Sequence, residues 1–406
     1  MKVNSTKTVN ELITVIAYVT DLEKNRNIYH AWRVSILSAQ LAKNSVNSKK
    51  LKDIFYASLL HDVGGVGFSH HIIHYLKRTD ETTQRILFSH PIIGAQLVSN
   101  IPEMDPAAKL VLDHHEWING GGYPRAKIEE NIPWGSQVIR ISDALDIALQ
   151  TNRFRRLKEL KDKISLNIHK EYSKKLFDQV FGILKQDKFF YSIHQRRNIP
   201  IIFKEIKDKV GLIHIPSMID SVGKTLEVIA QIIDMKHPYT LGHSLRVSRY
   251  ALACALAMRL PHDEVTLTKW TGLIHDIGKI SVPRRILDKS TMLTRKEFSE
   301  IKKHAALTKK IIDMMTTLKE ISPIASGHHE HFDGSGYPLG LKGKEIPLGA
   351  SILAICDAFD AMTSNRPYRL PLTFDAACQE LKKNAGTQFD PEIVKIALPI
   401  FRNLGL

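Results

Sequence analysis

Apolar positions along this chain return at helical spacing. Val247, Ala251, Cys254 and Met258 follow one another at intervals of 4, 3 and 4 residues, which places them on one face of an α-helix. Val34, Leu37 and Leu41 keep the same rhythm near the start. Thr294, with Glu297 three residues on and Phe298 next, is a capping-box signature that opens a helix toward His304, and Asp80 stands at the corresponding N-cap place of the earlier half. Sustained period-2 alternation of β-branched residues is weak, so strand signals are few. Turn-forming residues break the helical pattern at 119–124 and 333–338. The expectation is an all-α fold.

The pattern also repeats itself. The first half contains Tyr29-His30, His61-Asp62-Val63-Gly64, His90, His114-His115-Glu116, Gly122-Tyr123-Pro124 and Ser142-Asp143. The second half contains Gly242-His243, His275-Asp276-Ile277-Gly278, His304, His328-His329-Glu330, Gly336-Tyr337-Pro338 and Cys356-Asp357. His61 to His90 spans 29 residues, as does His275 to His304. His90 to His114 spans 24, as does His304 to His328. The offset is 214 throughout (275 − 61), with one residue of slip at the first histidine (243 − 30 = 213). Such a register marks a tandem duplication of one helical unit. Phe177-Asp178 pairs with Phe389-Asp390 at offset 212, which carries the first copy to about Leu184. The expected division is a first domain at 1–195, a basic linker at 196–215 with an amphipathic helix over 201–210, and a second domain at 216–406.

Composition narrows the class without naming a function. The 406 residues are 43% hydrophobic and 24% charged, which excludes a disordered or low-complexity chain. Three cysteines, Cys254, Cys356 and Cys378, form neither a zinc knuckle nor a disulfide framework and fit a reducing compartment. No apolar run reaches the roughly 18 residues of a membrane span, and the first ten residues are too polar for a secretion signal, so a cytoplasmic protein is expected. Fifty-seven Lys and Arg against 42 Asp and Glu give a formal charge of +15, which favours anionic partners.

Nineteen histidines change the picture further, because so many stand beside an aspartate or another histidine. In the second copy His243, His275, Asp276, His304, His328, His329 and Asp357 amount to five imidazoles and two carboxylates. Seven ligands exceed one tetrahedral zinc and suit two divalent metals sharing a carboxylate. A nitrogen and oxygen set without thiolate favours iron or manganese. Two metals ~3.5–4 Å apart activate a bridging hydroxide and clamp the oxygens of a displacement at phosphorus. Lys279 would bring a cation to the phosphoryl group, and Arg366 and Arg369 would supply planar forks for a phosphate.

The second copy, over about 217–400, resembles the HD-GYP domain, a subgroup of the HD phosphohydrolases. The resemblance rests on His275-Asp276-Ile277-Gly278-Lys279, on His328 to Pro338, on Arg366-Pro367-Tyr368-Arg369 and on Gly386 to Pro391. It implies a bacterial, all-helical metallophosphodiesterase that opens a cyclic dinucleotide, by default cyclic di-GMP to pGpG and onward to GMP. On that resemblance His243, His275, Asp276 and Asp357 hold one metal, and Asp276 bridges to a second on His304, His328 and His329. Asp276 and Lys279 are catalytic, and Lys279, Tyr337, Arg366 and Arg369 meet the substrate. Some members place a glutamate four residues before the first histidine and gather a third metal; Tyr239 stands there, so two metals are expected.

The first copy resembles the family in degenerate form. His30, His61, Asp62, His90, His114, His115 and Asp143 keep every ligand position of a second metal site, and Tyr123 keeps the tyrosine. Gly65 replaces the lysine, Asn119 replaces the aspartate of the Asp-Gly-Ser-Gly turn, and the arginine-rich segment 151–156 lacks its proline. A regulatory or structural copy that still binds metal is expected, with a second, slower active site as the alternative. Three functions compete: hydrolysis of cyclic di-GMP, hydrolysis of 3′3′-cyclic GMP-AMP, and a module that binds a cyclic dinucleotide without cutting it. No nucleic-acid or membrane partner is expected, and the family allows a homodimer.

Overall fold

Apolar helix faces organise the whole chain. The protein is described by a computed structural model covering residues 3–23, 28–66, 81–151, 157–185, 192–193, 195–216, 219–236, 241–365 and 370–404. Its regular elements are helical, and the described residues hold isolated bridges but no strand. None of the described helices is long and apolar enough to cross a membrane. The expected Asp80 cap, Tyr239, Arg366, Arg369 and the segment 152–156 lie outside the described residues.

Two compact units are present, Ser5–Ser221 in one and Val222–Leu406 in the other. The first contains α1 (Ser5–Glu23), α2 (His30–Ala42), α3 (Ser48–Leu60), α4 (Glu81–Ser99), α5 (Asp105–Leu112), α6 (Trp134–Thr151), α7 (Leu157–Ser165), α8 (Lys174–Lys185) and α9 (Ile199–Val210). The second follows with α10 (Ile219–Met235), α11 (His243–Ala257), α12 (His262–Ile274), α13 (Arg284–Leu287), α14 (Arg295–Ile312), α15 (Ser322–Ser326), α16 (Leu348–Thr363), α17 (Phe374–Lys383) and α18 (Pro391–Asn403).

The packing is duplicated as the sequence is. In the first unit α2 lies against α3 and α6; in the second α11 lies against α12 and α16. Val247, Ala251 and Cys254 are buried on the core face of α11, as Val34, Leu37 and Leu41 are on α2. Tyr250 meets Phe401 edge-on and Phe359 stacks on Phe401 with centroids 4.3 Å apart, tying α11, α16 and α18 together. The capping box at Thr294 is present, with Thr294 and Glu297 exchanging side-chain-to-backbone bonds at the start of α14.

Two expectations change. The stretch 196–215 is no free linker. Its helix α9 buries Ile199, Phe203, Ile206 and Val210 and packs on α2 and α3, where Phe203 stacks on Trp32 at 4.2 Å. The pairing of Phe177 with Phe389 also fails. The bridge Ile168–Tyr172 of the first unit corresponds to Ala385–Phe389 of the second, so Tyr172 is the counterpart of Phe389 at offset 217 (389 − 172). Length differs in the connection after α6, and a pattern match across that gap chose the wrong phenylalanine.

Candidate metal centres

Each His-Asp pair sits where a helix ends. α12 stops at Ile274, His275 is its C-terminal cap, and Asp276 leads into a 3-10 turn at Ile277–Ser281. Gly278 permits this turn to press on α14: a Cβ there would lie 2.1 Å from the carbonyl oxygen of His304. Gly64 does the same in the first unit, 2.2 Å from the carbonyl oxygen of His90. The glycine of the motif is therefore a packing requirement that brings the His-Asp turn against the next histidine's helix.

The histidines are oriented by their own helices. His275 Nδ1 donates to the carbonyl of Gly272 at 2.9 Å, His304 Nδ1 to Ile301 at 2.6 Å, and His328 Nδ1 to Ala325 at 2.6 Å. A carbonyl only accepts, so each ring carries its proton on Nδ1 and presents a bare Nε2 lone pair. Those three Nε2 atoms and Asp276 Oδ1 are buried and make no hydrogen bond. They face one another across Asp276 at 3.3 to 3.7 Å. Buried lone pairs converging without donors are the arrangement a cation satisfies.

Ligand-type atoms lie within 4.8 Å of one another in three overlapping groups of the second unit: Asp276 with His304, His328 and His329; His243 and His275 with Asp276; and His275 and His328 with Asp357. Asp276 belongs to two of them. His243 Nε2 points to Asp357 at 3.3 Å and to Asp276 at 3.8 Å, while its Nδ1 is held by Asp360 at 2.7 Å. Arg246 anchors Asp360 in turn through Nε at 2.5 Å and Nη2 at 3.0 Å.

Charge in this centre follows from burial and the carboxylates. Burial opposes protonation of His243, but Asp276, Asp357 and Asp360 hold its pKa well above the usual value. Burial alone would raise the Asp276 carboxyl; Lys279, 2.5 Å away, and the nearby histidines keep it well below the carboxylate range. Burial brings His304 down to about 4 and His328 to about 3, and His329 well below the usual value, so all three are neutral at pH 7. Neutral imidazoles at His304, His328 and His329 beside an ionised Asp276 are the protonation states that bind a divalent metal, and a metal at His243 would displace that ring's proton. The residues therefore fit a metal with nitrogen and oxygen preferences, and the three cysteines, all buried and free, take no part among these groups.

The first unit reproduces the frame. Asp62, His90, His114 and His115 form one group and His30, His61 and Asp143 another. Nδ1 atoms of His61, His90 and His114 are fixed by the carbonyls of Ser58, Leu87 and Val111, and His30 Nδ1 by Asp146 at 2.7 Å. Arg33 grips Asp146 as Arg246 grips Asp360. Three features differ. Gly65 stands where the second unit has Lys279. Arg140, with its side chain 12% exposed, binds Asp143 at 2.9 Å and Glu171 at 2.5 Å, where the second unit has Ala354 and Gln388. Burial raises the Asp143 carboxyl to about 6 even with Arg140 and His30 opposing. By contrast the Asn119 substitution is silent in shape, since Asn119 Oδ1 accepts from Gly121 N at 2.9 Å just as Asp333 Oδ1 accepts from Ser335 N at 2.8 Å.

All seven expected ligands of each copy are thus brought together, and Lys279 stands beside Asp276. Tyr337 lies with its ring stacked on His329, centroids 4.8 Å apart. Sequence reasoning passed over the residues that support the ligands. Asp360 and Asp146 orient the first histidine. Asp234 accepts from Ser244, and Asp21 from Ala31, at the same helix starts. Glu330 accepts from the backbone N–H groups of Leu339 and Leu341, and Glu116 from those of Arg125 and Lys127, which closes the Gly-Tyr-Pro loop. The repeat itself carried the signal: Asp146 and Asp360 share the offset 214, and Arg33 and Arg246 share 213. A cleft of about 900 Å³ lies elsewhere on the first unit, beside Trp134 and Lys109, and its described lining residues belong to none of these groups.

Comparison with known proteins agrees with this architecture. The HD domain family matches residues 15–180 and again 227–393. The 3′3′-cGAMP-specific phosphodiesterase 3 of Vibrio cholerae serotype O1 is 28% identical over 320 residues, covering 79% of this chain and 68% of that protein. The 3′3′-cGAMP-specific phosphodiesterase 1 of the same organism is 27% identical over 362 residues, covering 84% and 80%. A cyclic di-GMP phosphodiesterase of Thermotoga maritima is 35% identical over 187 residues, and there the chain spans about half of the relative, 51%, with 46% of its own length. The crystal structure of a cyclic GMP-AMP-specific phosphodiesterase from V. cholerae superposes with a TM-score of 0.67 over 97% of both chains; at 22% identity it shows the shared fold. Two His-Asp turns, two His-His-Glu pairs and two Gly-Tyr-Pro loops on a duplicated helical frame place the chain in the HD domain family, as a tandem HD-GYP member.

Proposed function

We propose that this chain is a metal-dependent phosphodiesterase that opens a cyclic dinucleotide, and that the second centre does the work. The observation that carries the reading is Lys279 held 2.5 Å from Asp276, beside buried, undonated imidazole nitrogens. In this reading His243, His275, Asp276 and Asp357 hold one divalent metal, and Asp276, His304, His328 and His329 hold a second. The metals, iron or manganese by their donor set, would supply Lewis-acid activation of water and of the phosphodiester. The chain's own groups do the rest. Asp276 shared between two groups fixes their spacing. Asp360 and the helix carbonyls keep the imidazoles in the ligating tautomer. Lys279, with its side chain about one quarter exposed at 26%, reaches the mouth and offsets negative charge that builds on the phosphoryl oxygens. Arg366 and Arg369 would add phosphate contacts by resemblance.

Two substrates remain in play. Relatives matched across both copies carry 3′3′-cGAMP names, at 79% and 84% of this chain, whereas the cyclic di-GMP phosphodiesterase of T. maritima matches 46% of it. That tandem correspondence supports 3′3′-cyclic GMP-AMP as the first substrate to offer, with cyclic di-GMP second. The test is anaerobic hydrolysis of both by the full chain loaded with Fe(II) or Mn(II), with products separated by chromatography and metal content measured. Cleavage of either dinucleotide is expected. Intact substrate over a fully metallated protein would overturn the enzyme reading in favour of a binding module.

A further inference from the structure

One position differs between the centres in a way that neither ligands nor their supports explain. In both copies the Gly-Tyr-Pro tyrosine lays one ring face on the second histidine of the pair. Tyr337 stacks on His329 at 4.8 Å and 29°, and Tyr123 on His115 at 4.8 Å and 23°. The other face is covered from the helix that bears the next ligand, two residues before it. In the second unit Lys302 of α14 places its Nζ 4.8 Å from the Tyr337 centroid and 4.9 Å from that of Phe298. In the first unit Phe88 of α4 stacks on Tyr123 at 4.6 Å and 22°. Phe88 and Lys302 share the offset 214 that relates His90 to His304.

The consequences for access are opposite. His115, Tyr123 and Phe88 make a continuous three-ring stack, because two rings lying nearly parallel within 5 Å of one ring must take its two faces. Tyr123 is buried at 7% exposure, while Tyr337 is partly exposed. Phe88 itself is 41% exposed, an outlay of apolar surface that no core requires. Lys302 pairs with no carboxylate among the described residues and is held only by ring faces, a weak attachment for an ammonium near the surface. A phosphate offers it charge-assisted hydrogen bonds instead, which are stronger. Once drawn away, the lysine leaves a tyrosine face on which a nucleobase can stack.

Resting on the phosphodiesterase reading above, we propose that the residue over this tyrosine decides which centre admits an anionic dinucleotide. Lys302 is a substrate-positioning cation at the second centre, and Phe88 is a plug over the first. Both side chains reach solvent, so exchanging them leaves the cores intact. Lys302→Phe, in the metal-loaded full chain, is expected to raise KM at least about tenfold with kcat within about twofold, and to lose the salt dependence of KM that a phosphate-bound cation imposes. Lys302→Arg rescues most of that rise. Phe88→Lys is expected to increase the binding stoichiometry of a non-hydrolysable phosphorothioate dinucleotide from one toward two per chain. Unchanged kinetics for Lys302→Phe at intact metal content, or a stoichiometry fixed at one for Phe88→Lys, overturns the proposal while the phosphodiesterase reading stands. Absence of turnover by the metallated wild-type chain overturns the reading itself, and the proposal with it.

Discussion

The two centres agree in how they hold their histidines and differ in the cations and rings set beside them. Both fix Nδ1 on a carbonyl three residues back, both clamp the first histidine with an Asp–Arg pair, and both close the tyrosine loop with a glutamate. The disagreement is confined to charge and cover. The second centre has Lys279 at the aspartate common to two ligand groups and Lys302 over its tyrosine; the first has Gly65 and Phe88 at those positions and sets Arg140 against Asp143. The duplication acts as an internal control: what both copies share builds the ligand frame, and what they do not share is where a difference in function can be tested.

The largest test of that separation is the aspartate common to two ligand groups. Asp276→Asn is expected to lower turnover by at least roughly 10³-fold, because it removes the charge that both metals would share. Asp62→Asn, its counterpart, should leave turnover within about twofold. Steady-state hydrolysis with metal analysis of each variant checks this. Equal losses from both substitutions would break the comparison and make the first centre an active site.

The clamps should separate by burial. The Arg33 side chain is 4% exposed and the Arg246 side chain 28%. Asp146→Asn strands a buried guanidinium and should destabilise the first unit by about 3–5 kcal/mol. Asp360→Asn leaves an arginine that water can reach and should destabilise the second unit by only about 1 kcal/mol. Each should cost about 10–100-fold in metal affinity at its own centre. Urea titrations and chelator competition measure the two effects separately.

A third exchange would sharpen the comparison. Arg140→Ala with Glu171→Gln gives the first centre the residues of the second, Ala354 and Gln388. Freed of its guanidinium, Asp143 should bind metal about tenfold more tightly, since an adjacent cation no longer opposes the incoming one. Chelator titration in an Asp276→Asn background, which takes a shared ligand from both metals of the second centre, reads the first centre. Glu171→Gln accompanies Arg140→Ala so that Glu171 is not left as a buried carboxylate without its guanidinium partner.

Much of this was legible because ligands are chemically rare and fixed in register. His61-Asp62 and His275-Asp276, once aligned, find every later ligand at the same offset of 214 and the first histidine one residue short of it. Gly278 and Gly336 stand in motifs that read as turns, and only the coordinates show that a Cβ at either would meet backbone within 2.2 Å. The supporting carboxylates were harder. Asp360 reads as one more polar residue of α16, because its role depends on two side chains from α11 that no local pattern names. Glu171 was harder still, since the offset has grown to 217 by then (388 − 171) and its partner Arg140 faces an alanine in the other copy. The stretch 196–215 reads as a linker because it opens on the basic, mixed segment from Gln195 to Pro200; four apolar side chains on one face of its helix are enough to dock it.

That docked helix carries the smallest effect. Lys207 on α9 buries its ammonium and donates to Thr14 Oγ1 at 2.7 Å and the Asn10 carbonyl at 3.3 Å. Burial lowers its pKa from 10.5 to about 8, against the opposing pull of Glu11 and Asp208. Between pH 8 and 10.5 the unfolded chain therefore holds the proton that the folded chain has lost, so stability rises with pH across that window. Below pH 8 both states are charged and the cost of burying the ammonium is fully present, up to about 3 kcal/mol from a shift of this size. Lys207→Met removes that cost together with two hydrogen bonds, so a gain of about 1–2 kcal/mol at pH 7 is expected, fading by about pH 10. Urea midpoints of the first unit at both pH values measure it, with turnover at the second centre unchanged. A gain that persists at pH 10 would assign the effect to apolar packing of α9 rather than to the buried charge.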